Sequence, residues 1–175
     1  MSTRNKIILI GFMGTGKSSV AAALSQLLQL QSLDVDKEIV SVEGRSIPDI
    51  FSQDGEEAFR SIETNVLRQL LQSPQPAIIA TGGGAVLKQE NRELMLKHGL
   101  VVHLSASADV IIARVSQDQG RPLLQGDVSE RVHALLNTRA HAYDFAPVTI
   151  DTSHRSIPEI AADIANAWQH ANQDT

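Results

Sequence analysis

Gly11-Phe12-Met13-Gly14-Thr15-Gly16-Lys17-Ser18 follows the apolar run from Lys6 to Ile10 near the start of the chain. The stretch matches the pattern G-x-x-x-x-G-K-[ST] at every specified position. The pattern has a physical logic. Glycines let backbone N–H groups turn inward and approach phosphate oxygens closely. A helix opening behind the loop adds unpaired N–H groups and a dipole that favours an anion. The lysine reaches the terminal phosphates, and the hydroxyl after it is suited to ligate Mg²⁺. The expected nucleotide contacts are therefore Gly14, Thr15, Gly16, Lys17, Ser18 and Ser19, with Lys17 also catalytic and Ser18 a metal ligand. A glycine-rich turn with no ligand is the competing reading. The strand-like run before the loop and the helical pattern after it argue against that reading.

Outward from the loop, strand-like and helical patterns alternate. Val20, Ala23, Leu24, Leu27 and Leu28 recur at helical spacing over 18–30, and 33–35 reads as a short second strand. Residues 47–51 and 58–71 read as helices separated by Asp54-Gly55. Ala77 to Ala80 is a strand candidate running into Thr81-Gly82-Gly83-Gly84, with a helix expected at Gln89. Further strands are expected at 100–104 and 148–150, and helices at 108–115 and 128–143. Ser156-Ile157-Pro158-Glu159 fits a capping box opening a last helix, whose apolar face carries Ile157, Ile160, Ile164 and Trp168. Strands alternating with helices imply βαβ units and an α/β fold, a parallel sheet covered on both faces. Nothing divides the 175 residues into parts, so one domain over 1–175 is expected.

Composition narrows the partners. The net charge is −5 with no long basic run, which argues against a duplex-binding surface. Aromatics make up only 3%, too few for base-stacking platforms, so no nucleic-acid partner is expected. No apolar stretch reaches spanning length and no signal-peptide core precedes the first strand, so no membrane partner and a cytoplasmic address are expected. The absence of Cys excludes disulfides and thiolate metal sites, and the six histidines show no metal-ligand spacing.

The phosphate loop alone does not separate a kinase from an ATPase or a GTPase switch. No N-K-x-D and no D-x-x-G follows it, so a GTPase switch is disfavoured. No strand is expected to end in the usual metal-holding Asp, since the strand at Ala77 ends in Thr81 and glycines. Asp34-Val35-Asp36 lies past the first helix, and alternation over an extended segment would put both carboxylates on one side. One could support the metal's water shell and the other accept a proton from an attacking hydroxyl. A turn or N-cap role for either Asp fits the spacing equally well. Gly82 to Gly84 directly after a buried strand would expose N–H groups to a small polar ligand, or simply make a tight turn. Arg60, Arg121 and Arg139 could each fork a carboxylate or phosphate, although most single arginines lie on a solvated face.

Taken together these segments resemble the shikimate kinase family. The resemblance rests on the Gly11–Ser18 loop, Leu33-Asp34-Val35-Asp36, the run from Gly55 to Glu63, Ala80-Thr81-Gly82-Gly83-Gly84, Arg121-Pro122-Leu123-Leu124, and Arg139 followed by Tyr143. They are collinear and span the whole domain. The resemblance implies a P-loop NTPase fold of the nucleoside-monophosphate-kinase branch, three layers α/β/α around a five-stranded parallel sheet. It implies transfer of the γ-phosphoryl of ATP, with Mg²⁺, to the 3-hydroxyl of shikimate, in aromatic amino acid biosynthesis. It also implies roles: Asp36 binds the shikimate hydroxyls and takes the proton, and Asp34 holds Mg²⁺ through water. Arg60, oriented by Glu63, and Arg139 grip the shikimate carboxylate with the N–H groups of Gly82, Gly83 and Gly84. Arg121 reaches the ATP phosphates from a lid over about 117–127 and is counted as catalytic. Arg114 lies beside the adenine, and the substrate-binding region spans about 35–64. A monomer is expected.

The chain departs from the family's pattern in two places. Thr152 to Pro158, where members place adenine contacts, does not align cleanly, and His141-Ala142 stands where members often have Pro-Leu before the Tyr. Two other readings remain at this level. A gluconate-type or nucleotide kinase would use a different acceptor pocket. A non-catalytic nucleotide-binding domain would tolerate loss of the acceptor residues. The joint presence of Asp36, Arg60, Gly82–Gly84 and Arg139 argues against both.

Overall fold

A computed structural model describes residues 4–117 and 127–173. Its centre is a five-stranded, all-parallel sheet in the order β2-β3-β1-β4-β5. The strands are β1 (Lys6–Ile10), β2 (Gln31–Asp34), β3 (Ala77–Ala80), β4 (Gly99–Ser105) and β5 (Val148–Asp151). The register runs Ile8 beside Ile79 on one flank of β1 and beside Val101 on the other.

The strands are apolar because both faces of the sheet are covered. In β1, Ile8 and Ile10 face one way and Ile7 and Leu9 the other, and all four are fully buried. The period of two along a strand sends alternate side chains into different cores. The first core is closed by α2 (Val35–Glu43), α3 (Ile47–Asp54), α4 (Glu56–Gln72) and α5 (Gln89–His98), through residues such as Ile39, Ile50, Leu67 and Met95. The second is closed by α1 (Lys17–Leu28) and α8 (Ile157–Gln173), through Val20, Leu24, Ile160 and Ile164. Burying each such side chain contributes roughly 1.5–3 kcal/mol. A third cluster joins Phe12 and Met13 of the phosphate loop to α6 (Ala108–Val115) and α7 (Val128–Thr138). The expected α/β/α layering is therefore present.

Several local expectations need correction. Asp34-Val35-Asp36 is not an extended segment. Asp34 ends β2 and caps α2, its carboxylate accepting the Lys37 N–H, while Asp36 lies in the first helical turn. β2 thus ends in Asp34 and β5 in Asp151. Helix α2 was readable from its brackets: an acidic N-cap, acids in the first turn, Val35 and Ile39 four apart, and Gly44 closing it at φ 68° with its N–H on Val40 O. The helix expected over 128–143 ends at Thr138. Beyond it the chain folds into tight turns, with Ala142 N–H on Arg139 O (3.0 Å) and Ala146 N–H on Tyr143 O (3.1 Å). These turns bring both Arg139 and Tyr143 inward, and both are buried. The capping box at α8 is present: Ser156 N–H donates to Glu159 Oε2 (3.2 Å) and Glu159 N–H to Ser156 Oγ (3.3 Å). Among the described residues no helix is long and apolar enough to cross a membrane. Most of the expected lid, with Arg121, lies outside the described residues.

Candidate functional site

The carboxyl ends of β1, β2 and β3 open into one cavity of about 580 Å³. Crevices at strand ends are where open α/β sheets bind ligands. The cavity has a donor half built on the phosphate loop and an acceptor half built on α2, α3, α4 and the glycine run.

In the donor half, Gly14 has φ 78° and Gly16 φ 91°, conformations that L side chains rarely adopt. A Cβ at Gly14 would also lie 2.9 Å from Val115 Cγ1, so α6 packs directly against the loop. Lys17 Nζ donates to Gly11 O (2.7 Å) and Phe12 O (3.0 Å), folding the side chain back over the loop where phosphate oxygens would lie. Thr15 is buried and its hydroxyl donates to Phe12 O (2.8 Å), so it shapes the loop from within. Ser18 and Ser19, at the start of α1, line the cavity with Asp34.

Arg114 also lines the cavity and braces the loop. Its Nη1 donates to Gly14 O (2.9 Å) and its Nη2 to Thr152 O (3.2 Å). Thr152 is buried at the end of β5, and its hydroxyl lies 3.0 Å from both Thr15 O and Ser105 O. The segment that resisted alignment thus begins with a buried clamp on the phosphate loop. A Thr after a short strand carries no signal of this in sequence.

In the acceptor half, Arg60 Nη1 is paired with Glu63 Oε1 at 3.0 Å and its Nη2 with the exposed Glu56 at 3.4 Å. Glu63 is almost fully buried (1% exposed). Burial pushes its carboxyl pKa up, the Arg60 guanidinium partly offsets this, and nearby Asp36 adds to it. Asp36 and Glu63 both face Gly82: a Cβ there would lie 3.0 Å from Asp36 Oδ1 and 3.2 Å from Glu63 Oε2.

Arg139 is 5% exposed, and its buried Nη1 has no hydrogen-bond partner. That nitrogen would be 3.4 Å from a Cβ on Gly83, and the guanidinium stands over the Phe12 ring at 5.8 Å. Among the described residues the N–H groups of Gly82, Gly83 and Gly84 find no backbone acceptor. A buried guanidinium nitrogen and a run of N–H groups lacking backbone partners make a cradle for an anion, because each is costly to leave unpaired. Ile47, Pro48, Phe51 and Phe59 add an apolar part to the lining. None of the four was given a site role from sequence, where they lie in segments read only as helical.

The geometry therefore joins Lys17, Ser18, Ser19, Asp34, Asp36, Arg60, Gly82, Gly83, Gly84, Arg114 and Arg139 around one cavity. It puts the glycine-rich loop and Lys17 in the same cavity as Arg60, Arg139 and the Asp36 carboxylate. Among the described residues no group of three or more His, Cys, Asp or Glu could hold a metal ion.

Comparison with known proteins points the same way. The family model for shikimate kinase matches residues 13–169. A curated shikimate kinase from Desulforudis audaxviator is 45% identical over 153 residues, covering 87% of this chain and 80% of that protein. One from Geobacter metallireducens is 42% identical over 164 residues, covering 93% and 90%. The solved structure of shikimate kinase from Acinetobacter baumannii in complex with shikimate superposes with a TM-score of 0.90 at 35% identity, covering 97% of this chain and 96% of that one. With the matched model spanning most of its length and curated relatives above 40% identity, this chain belongs to the shikimate kinase family.

Proposed function

We propose that this chain transfers the γ-phosphoryl group of ATP to the 3-hydroxyl of shikimate, releasing ADP and shikimate 3-phosphate. The observation that carries this reading is the anion cradle of Arg139 and Gly82–Gly84, facing Asp36 and sharing one cavity with the phosphate loop. Shikimate carries one carboxylate and three hydroxyls on a six-membered ring. A forked cation set, a carboxylate and an apolar wall complement those groups.

The family resemblance supplies the roles, and each suits the chemistry of its residue. Backbone N–H groups over 14–19 cradle the phosphates, and Lys17 leaves the Gly11 and Phe12 carbonyls to take the terminal ones. Asp36 accepts the hydroxyl proton as the hydroxyl oxygen bonds to the γ-phosphorus. The bond from that phosphorus to the bridging oxygen breaks, and its electron pair leaves with ADP. Arg60, held by Glu63, and Arg139 grip the carboxylate. Arg114 lies beside the adenine, and Arg121 reaches the phosphates from the lid over about 117–127.

The donor set fits magnesium. Ser18 supplies a hydroxyl and Asp34 a carboxylate, both hard oxygens lining the cavity. Mg²⁺ typically keeps water and phosphate ligands and needs few protein ones. Mg²⁺ bound there would neutralise charge on the β- and γ-phosphate oxygens. The chain acts as a single domain over 1–175, with a substrate-binding region over about 35–64, as a cytoplasmic monomer.

The test is direct. Purified protein given ATP, Mg²⁺ and shikimate releases ADP in proportion to shikimate. ADP no higher than the ATP-only background would sink the reading.

Gly84 offers a second test. Its backbone, at φ −94° and ψ 0°, suits any residue. A Cβ there, however, would sit only 2.6 Å from Arg60 Cζ, inside contact distance. Gly84→Ala must therefore push Arg60 off its place. The expected result is about a ten-fold rise in KM for shikimate, with KM for ATP changed less than about two-fold. An unchanged shikimate KM would show that Arg60 does not contact the acceptor.

A further inference from the structure

The acceptor cradle has a support that its roles above do not use. Tyr143 lies just past the turn that follows Arg139 and is 6% exposed. Its phenol donates to the Gly83 carbonyl at 3.0 Å, across a sequence separation of 60 residues. Its ring stacks on His103 of β4, with centroids 4.5 Å apart and planes 9° from parallel. His103 is itself held in the sheet, in register with Ile10 at the end of β1. The Tyr143 ring is thus anchored to the strand beside the phosphate loop while its hydroxyl reaches the glycine run.

A hydrogen bond to this particular carbonyl has a geometric consequence. The Gly83 carbonyl and the Gly84 N–H belong to one planar trans peptide and point in opposite directions. Fixing the carbonyl on one side fixes the N–H on the other. Glycine backbones have the most freedom to lose, so a run of three needs external restraint to hold one conformation. The glycine run has other restraints: Ala85 N–H bonds Gly82 O at 3.2 Å, Leu87 N–H bonds Gly84 O at 3.1 Å, and the buried Asn91 Nδ2 bonds Ala85 O at 2.9 Å, so they hold the peptides on either side of the Gly83–Gly84 peptide. Only the Tyr143 bond, among the described residues, acts on the Gly83 carbonyl itself.

We infer that Tyr143 is a positioning residue for acceptor binding: anchored on His103, it holds the Gly83–Gly84 peptide so that its N–H completes the carboxylate cradle with Arg139. This rests on the acceptor reading given above. Burial and Arg139 act in opposite directions on the phenol, burial being the larger, and its pKa stays above the ordinary tyrosine value. The hydroxyl is therefore protonated, and able to donate, throughout the neutral range.

The test uses Tyr143→Phe, which keeps the ring, its stacking and its volume and removes only the hydroxyl. Shikimate and its methyl ester, which lacks the negative charge, are the two probes, titrated calorimetrically with ATP titrated separately. The variant is expected to bind shikimate about five- to ten-fold more weakly, the loss of one well-placed hydrogen bond. Its preference for shikimate over the ester should shrink by the same factor, and its ATP affinity should change by less than about two-fold. A general loosening of the fold would weaken both acceptors alike, and that result overturns the inference. Amide hydrogen exchange across residues 81–87 of the ligand-free protein provides an arm independent of the acceptor. Faster exchange there in Tyr143→Phe, with α1 and α8 unchanged, supports the restraint, and exchange equal to wild type overturns it. Wild type that fails to bind shikimate overturns the acceptor reading instead, and the exchange arm still decides what Tyr143 holds.

Discussion

Asp36→Asn lowers kcat for shikimate phosphorylation by about 10²–10⁴-fold, the range for removing a positioned general base. The substitution keeps the size and shape of the side chain and removes only its ability to take a proton. Asp36 sits in the first turn of α2, where an acid also interacts with the helix dipole. Losing that charge costs the helix about 0.3–1 kcal/mol, too little to unfold the protein. The carboxylate lies against Gly82 and close to Glu63, and it lines the same cavity as the phosphate loop. The amide still hydrogen-bonds to hydroxyls, so shikimate affinity by calorimetry should fall much less than kcat. A kcat within about three-fold of wild type would remove Asp36 from the proton path.

Arg139→Ala produces the largest change in acceptor affinity. The guanidinium is almost fully buried, and its Nη1 has no partner in the protein. A carboxylate arriving there would satisfy a group that is otherwise desolvated and unpaired. Truncating one side of a buried charge pair costs about 2–5 kcal/mol, or roughly 30- to several-thousand-fold in affinity. ATP affinity should be nearly unchanged, because Arg139 stands over the Phe12 side chain and beside Gly83. Arg139→Lys separates charge from geometry: it keeps the cation and loses the planar fork, and should recover only part of the loss. Calorimetry with each substrate separately decides the matter. Equal weakening of both would refute the assigned role.

The two halves of the cavity were legible in sequence to different degrees. The phosphate loop depends on contiguous residues, since backbone N–H groups, Lys17 and Ser18 all come from one strand–turn–helix unit. Its geometry is local, and a pattern of eight residues encodes it. The acceptor half comes from β2, α2, α4, the loop after β3 and the turn after α7. From spacing alone, Asp36, Arg60 and Arg139 each read as well as surface or capping residues, and only a family resemblance selected them. The extended conformation inferred for Asp34-Val35-Asp36 was wrong because alternating apolar and acidic residues fit a strand and the first turn of a helix equally well. Gly44, ten residues further on, is the helix stop that distinguishes them.

Burial was the other property out of reach. Glu63 and Arg139 are charged residues in helical or turn segments, where the usual expectation is exposure. The structure buries both, and burial leaves the Arg139 Nη1 desolvated and without a hydrogen-bond partner. Thr152 and Tyr143 likewise act through contacts 137 and 60 residues away, to Thr15 and Gly83. The sequence by itself determined the sheet with its two covered faces and the phosphate loop, because hydrophobic period and backbone freedom are properties of neighbouring residues. Only the tertiary structure decided which distant charges share a cavity, which of them are stripped of water, and which side chains hold the glycine run in place. Those properties depend on how strands and helices pack, and no single segment carries them.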